Sequence, residues 1–215
     1  MNDKTAKELR RQAAHASGIA LVPLAFVFGK FPVAAASLIL AFAIFILAEH
    51  RSNINIESNQ KRNAVKSAPD YGTKSDSKQY ANILDSIHNI FENFERGGGN
   101  YRGAFYFYLA SAVSLFLFPL TVAMLSITVL ALGDSFSTAA GIFGKRRIFY
   151  NRKKTWEGTL AGFAAAFCGC LLISPQLALP AAFVGMLVES LPLKINDNLT
   201  VPILTGIALS VIAAF

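Results

Sequence analysis

Long stretches without charge alternate with short, strongly charged ones along this chain. Seven apolar segments can be drawn, at roughly 16–30, 32–48, 103–118, 119–133, 158–174, 176–191 and 199–215. Such runs predict membrane-crossing helices, although several fall short of the ~20 residues that a typical hydrocarbon core requires. Flanking residues extend short helices, and helices around a wet site tolerate shortness. Pro32, Pro119 and Pro175 each fall between two neighbouring segments. Proline suits a helix's first turn and disrupts its interior. The pattern therefore predicts three helical hairpins, 16–48, 103–133 and 158–191, and a last unpaired helix. The expected fold is all-α, a polytopic membrane protein of about seven transmembrane helices.

Composition sharpens this picture. Hydrophobic residues make up 53% of the chain and charged residues 15%, against about 25% charged in soluble domains. The net charge is +7. In a soluble protein that would suggest nucleic acid; with apolar runs of this length, a membrane is the simpler partner and nucleic acid is not expected. With seven spans and a cytoplasmic N-terminus, all 20 Lys and Arg except Lys30 fall on the cytoplasmic side, as the positive-inside rule requires. Lys4, Lys7, Arg10 and Arg11 before an apolar run, with Ala34-Ala35-Ala36 after it, loosely match a secretory signal. The later apolar segments keep the chain in the membrane with or without cleavage. Cys168 and Cys170 lie inside one apolar run and point to different helix faces, so they read as small apolar residues.

Three regions follow: a tail and first hairpin (1–48), a cytoplasmic loop (49–102) and a catalytic core (103–215). Residues 50–80, rich in Asn, Ser and Lys, read as flexible. Within 83–95, Ile83, Leu84, Ile87, Ile90, Phe91 and Phe94 recur at helical spacing. They predict an amphipathic helix lying at the interface, as an anchor or a lid. Gly97-Gly98-Gly99 then supplies a joint.

The chemistry concentrates at 134–157. Asp134 closes an uncharged run that begins near 103, and a carboxylate at the edge of a span is costly and usually functional. Gly141 and Gly144 allow close backbone approach, and Lys145, Arg146 and Lys154 supply positive charge. An acid for a divalent metal, a glycine-rich loop and a basic clamp together describe a polyphosphate site. The order is not that of a P-loop. Taken singly, the small residues also suit helix packing and the basic run also suits topology. Glu157, Glu189 and Asp197 fall at the same predicted face as Asp134. Asp197 and Asn198 equally suit an N-cap, and Glu157 equally suits a cap or a pair with Lys153 or Lys154.

The run Gly133-Asp134-Ser135-Phe136-Ser137 through Gly141, Gly144, Lys145 and Arg146 continues into Lys154-Thr155-Trp156-Glu157-Gly158, Glu189-Ser190-Leu191-Pro192 and Asp197-Asn198. It resembles the CTP-dependent lipid kinases: dolichol kinase, phytol kinase and the CTP-dependent diacylglycerol kinase. Phosphatidate cytidylyltransferases are more distant, and their longer signature is not evident. The resemblance covers about the last 85 residues well. Upstream, the stretch from Leu9 to His15 resembles the family's basic-plus-histidine segment, with Gln12 where a lysine is common, and Arg96 to Gly103 resembles its entrance to the next span. Residues 49–100 have no counterpart.

The resemblance implies transfer of the γ-phosphoryl group of CTP to a lipid alcohol of polyprenol or dolichol type within the bilayer. Diacylglycerol or phytol are close alternatives. A cytidylyltransferase forming a CDP-lipid, or a transporter, are alternatives of other classes. It implies catalytic roles for Asp134, Glu157 and Glu189, and a nucleotide site at Gly133, Ser135, Gly141, Gly144, Lys145, Arg146, Lys154, Gly158, Asp197 and Asn198. Mg²⁺ or a similar cation would sit on Asp134, Glu189 and Asp197. Arg11 and His15 are expected to contact substrate or nucleotide. The small size and short loops lean toward a prokaryotic or archaeal plasma membrane rather than endoplasmic reticulum, with the site facing the cytoplasm.

Overall fold

The computed structural model describes residues 3–65 and 102–214, with side chains over 5–49 and 103–214. The amphipathic helix expected at 83–95 and the glycine joint after it lie outside the described residues. Helix α1 runs Asp3–Ala16, a 3₁₀ turn Ser17–Ala20, α2 Leu21–Phe28 and α3 Lys30–Val65. After the undescribed stretch come α4 Arg102–Leu117, α5 Leu120–Thr128, a π-helical turn Val129–Asp134 and α6 Ser135–Gly141. Then follow α7 Trp156–Leu171, α8 Pro175–Ser190 and α9 Asp197–Ile212. No strand occurs among the described residues, where an antiparallel bridge joins Arg147 to Thr155. The fold is all-α, as the apolar periodicity predicts.

The prolines punctuate where the sequence places them. Pro119 is the N-cap of α5 and Pro175 opens α8. The first hairpin turns at Gly29, whose φ of 85° is a conformation that side-chain-bearing residues rarely adopt. Pro32 then sits in the first turn of α3, where its missing N–H costs nothing. α3 continues to Val65, so flexibility does not begin at residue 50. No glycine or proline interrupts Val33–Val65, and Glu, Gln, Lys and Arg are good helix formers.

Among the described residues, two helical stretches are long and apolar enough to cross a membrane. Lys30–Glu49 has 20 residues with mean hydropathy 2.5, and Leu120–Gly141 has 22 residues with mean hydropathy 1.6. The expectation of seven such spans is not supported, and length is the reason. α4, α7, α8 and α9 have 16 residues each. At 1.5 Å per residue that is about 24 Å, against a hydrocarbon core of about 30 Å. The first expected span is further divided between the 3₁₀ turn and the 8-residue α2.

Small residues let the helices approach closely. α7 lies against α6, α8 and the π turn, and α9 packs on α4, α5 and α8. A Cβ added at Gly158 would lie 2.6 Å from the Ser137 carbonyl oxygen. At Gly162 it would meet the Gly133 carbonyl at 2.5 Å and Ser137 Cβ at 2.8 Å. The core at this crossing is built of small side chains, with Ala166, Ala178, Ala181 and Ala182 all at 0% exposure. Cys168 and Cys170 are free thiols; Cys170 is buried against the Leu125 carbonyl, in keeping with a packing role.

The crossing gives a direct test. Gly162→Val gains helix propensity but must displace backbone, so it lowers stability by about 1–3 kcal/mol. Thermal unfolding of the purified protein reads the change, and an unchanged midpoint would show that α7 has room to shift.

Candidate functional site

Asp134 is the last residue of the π turn and is 8% exposed. π-Helical turns widen the helix by one residue per turn and often lie at functional sites. Here the turn delivers Asp134 to a cavity of about 980 Å³. Ser137, Thr138 and Gly141 follow along the same wall on α6. The end of α1 supplies Arg11 and His15, and the segment before and into α9 supplies Asn196, Asp197 and Asn198.

The loop between α6 and α7 closes the cavity with Arg147, Lys153, Lys154 and Thr155. Three devices fix this loop. The Ile148 N–H bonds the Lys154 carbonyl at 3.1 Å, and the Trp156 N–H bonds the Arg146 carbonyl at 2.9 Å. The Asn151 amide donates to the Ser190 carbonyl at 2.9 Å, and the Tyr150 and Ser190 hydroxyls lie 2.8 Å apart. Thr155 caps α7 by accepting from the Gly158 N–H at 3.1 Å.

At the centre stands Lys154. Its ammonium pairs with Glu189 Oε1 and lies 3.3 Å from Asp197 Oδ2. Glu189 is 0% exposed at the end of α8, and its Oε1 also accepts from the Ser137 hydroxyl at 3.0 Å. Burial opposes the charge on Lys154. Glu189, Asp134 and Asp197 more than offset it, so its pKa stands above the usual lysine value. Lys154 is therefore protonated at neutral pH.

His15 packs edge-on against Phe107, with ring centroids 4.7 Å apart. Its Nε2 lies 3.4 Å from Asp134 Oδ2 but has no hydrogen-bond partner among the described residues. The contact is electrostatic in range and too poorly aligned to bond. Burial lowers the imidazole's pKa below the ordinary value, Asp134 opposing and nearby Arg11 adding to the effect.

Leu40 and Ile44, one turn apart on α3, and Ala104, Phe107 and Tyr108 of α4 also line the cavity. The lining thus combines charged and apolar side chains, with Phe107 packed on His15 beside Asp134.

No family model matches the chain, and no solved structure matches it. It is 32% identical over 135 residues to Uncharacterized protein MJ1137 of Methanocaldococcus jannaschii, a match covering 60% of this chain and 67% of that protein. The chain belongs to the same family as that archaeal protein.

In this family member, the residues expected from sequence divide into three groups. Asp134, Gly141, Lys154, Asp197, Asn198, Arg11 and His15 all line the cavity. Glu189 stands behind Lys154, off the cavity wall. The others lie elsewhere. Glu157 is exposed and turned to the loop, where its carboxylate accepts from the N–H groups of Lys145 at 3.2 Å and Arg146 at 3.1 Å. It fastens the loop from a position outside the cavity lining. The Lys145 and Arg146 side chains are exposed outside the cavity lining. Gly133, Gly144 and Gly158 serve close packing: a Cβ on them would meet Met186, Thr155 and Ser137 respectively. Ser135 is buried with no partner for its hydroxyl among the described residues.

Arg147, Lys153 and Ser137 belong to the stretch singled out from sequence but were not among the residues assigned a site role, and Asn196 was not read at all. The N-cap of α9 is Asn196, whose side chain accepts from the Asn198 N–H at 3.0 Å. Asp197 is thereby free of the capping role it was equally suited to, and the Asn198 amide bonds the Gly103 carbonyl at 2.9 Å. The expected metal set also meets a difficulty. Among the described residues no group of three or more His, Cys, Asp or Glu is gathered to hold a metal ion. Lys154 occupies the space between Glu189 and Asp197, and an ammonium there does not fit a resident metal.

His15 yields a pH prediction. Its depressed pKa means that the folded state resists its protonation, so stability is complete above pH ~6.5 and declines as pH falls below that value. His15→Phe removes this component. Thermal midpoints between pH 7.5 and 5 should fall more steeply in wild type than in the variant; parallel curves would refute the assignment.

Proposed function

We propose that this protein transfers the γ-phosphoryl group of CTP to a membrane lipid alcohol of polyprenol or dolichol type, with diacylglycerol and phytol as close alternatives. The carrying observation is a cavity with both basic lining, from Arg11, Arg147, Lys153 and Lys154, and apolar lining, from Leu40, Ile44 and Tyr108. A polyphosphate needs the first, and an acceptor with a hydrocarbon chain needs the second.

The outer surface supports a lipid setting. Phe26, Ile39 and Leu160 are 73%, 70% and 69% exposed, and only 28% of Lys30–Glu49 is buried within the protein. Large apolar patches of this kind mark contact with lipid or partners. In this reading the chain is multi-pass, its shorter helices spanning with the aid of interfacial flanks. Lys30 marks the outer end, where its ammonium bonds the Phe118 carbonyl at 3.1 Å. The cavity opens toward the cytoplasm, in a prokaryotic or archaeal plasma membrane.

Mechanistically, phosphoryl transfer rests on positioning and neutralisation of charge. Lys154 and the neighbouring basic residues would hold the triphosphate. The lipid hydroxyl would lie near Asp134, with its chain along Leu40 and Ile44. The bond from the hydroxyl oxygen to Pγ forms as the bond from Pγ to the bridging oxygen breaks, CDP leaves, and Asp134 takes the hydroxyl proton. Glu157 has no part in this step because its carboxylate serves the loop.

The test is CTP labelled at the γ-phosphate, supplied with Mg²⁺ to purified protein in detergent. A polyprenol, a diacylglycerol and phytol are offered in parallel. Label should enter one lipid and CDP should accumulate. Asp134→Ala should lower the rate by at least about a hundredfold, the usual worth of a placed proton acceptor. Ile44→Trp should raise KM for the lipid while leaving that for CTP unchanged. Pyrophosphate release with a phosphatidate acceptor would instead move the protein to the cytidylyltransferases.

A further inference from the structure

Two of the three carboxylates expected to hold a metal contact a lysine, and the third lies within range of its charge. Lys154 pairs with Glu189, lies 3.3 Å from Asp197, and feels the charge of Asp134. Glu189 is fully buried and is held from behind by Ser137. Its Oε1 takes both the Lys154 ammonium and the Ser137 hydroxyl, while its Oε2 has no partner among the described residues. Mg²⁺ demands near-octahedral oxygen coordination at about 2.0–2.1 Å. An ammonium already seated among those oxygens both fills the volume and repels a second cation.

We propose that the Lys154 ammonium is the site's built-in cation. It stands between Glu189 and Asp197 and neutralises the carboxylates that would attract a divalent ion, so the nucleotide-free protein holds no divalent ion there. The metal enters instead on the phosphates of the nucleotide. Only this last clause rests on the kinase reading; the statement about the free protein stands on the geometry alone. Glu189 becomes a positioning residue: it acts through Lys154, fixing an ammonium on the cavity wall.

The arrangement explains why Glu189 can be buried completely. A charged carboxylate without a partner is strongly destabilising in a protein interior, and one hydroxyl does not compensate it. The ammonium does, and its second contact, with Asp197, ties the loop to the start of α9.

Binding of Mn²⁺ to the full chain in detergent, without nucleotide, tests this by electron paramagnetic resonance. Wild type should show no stoichiometric binding at ~100 µM Mn²⁺, a concentration that fills moderately strong carboxylate sites. Lys154→Met should gain one Mn²⁺ per chain, bound at least about tenfold more tightly than by wild type, the range by which a metal's immediate surroundings shift its affinity. Adding Glu189→Gln to that variant should abolish the gain. Should Lys154→Met fail to fold, purification with Mn²⁺ present decides: rescue by the ion supports the proposal, and no rescue overturns it. Stoichiometric Mn²⁺ on nucleotide-free wild type, or a folded Lys154→Met that gains none, also overturns it. A separate arm adds CTP to wild type. Failure of CTP to bring Mn²⁺ counts against the kinase reading and leaves the result for the free protein untouched.

Discussion

A carboxyl at zero exposure must either give up its charge or find a cation, and Glu189 has Lys154 beside it, from a loop 35 residues upstream. Much of the site's construction follows from that demand. Lys154 reaches Glu189 only if the segment between α6 and α7 folds back over the end of α8, and Tyr150 and Asn151 hold it there through Ser190. The same ammonium touches Asp197, which brings the start of α9 to the cavity. One ion cluster thus joins the ends of α6, α7, α8 and α9. Replacing such a cluster with apolar residues is often neutral for stability. Its presence is therefore better explained by what it positions than by what it contributes to folding.

Close helix packing makes the cluster reachable. Gly158 and Gly162 place α7 directly against the backbone of α6 and the π turn, and Met186 of α8 reaches the same crossing. Ser137 can bond Glu189 across this interface because only small side chains stand between them. In such packing the π turn has a clear role. Its extra residue per turn shifts the register between α5 and α6, so Asp134 faces the cavity while Val129 and Leu130 remain in the core.

The sequence disclosed the architecture through strong local signals. The prolines and Gly29 mark real breaks because the missing N–H or the positive φ acts on the backbone alone. Asp134, Lys154 and Asp197 were legible because charge beside an apolar run is costly wherever the chain goes. Side-chain direction was less legible. Lys145 and Arg146 belong to the same basic run as Arg147 and Lys153, yet only the latter pair faces the cavity. That outcome depends on the bridge between Arg147 and Thr155, a pairing across eight residues that no periodicity announces. The Glu157 partners were illegible for the same reason: they are backbone N–H groups whose orientation is set by the turn.

The length of α3 bears on where the apolar lining of the cavity falls under the proposed reading. Leu40 and Ile44 stand 10 and 14 residues beyond Lys30 in the sequence, which at 1.5 Å per residue is about 15 and 21 Å along the helix. If Lys30 marks one membrane boundary, Leu40 falls at about the midpoint of a core about 30 Å thick and Ile44 beyond it, short of the far edge. These side chains would then lie at hydrocarbon depth. An acceptor could keep its chain in lipid and present only its hydroxyl to the charged residues, without the cost of extracting the whole molecule. Short helices around the charged residues are consistent with this: where water and a nucleotide must reach the site, a helix of full membrane length would bury it.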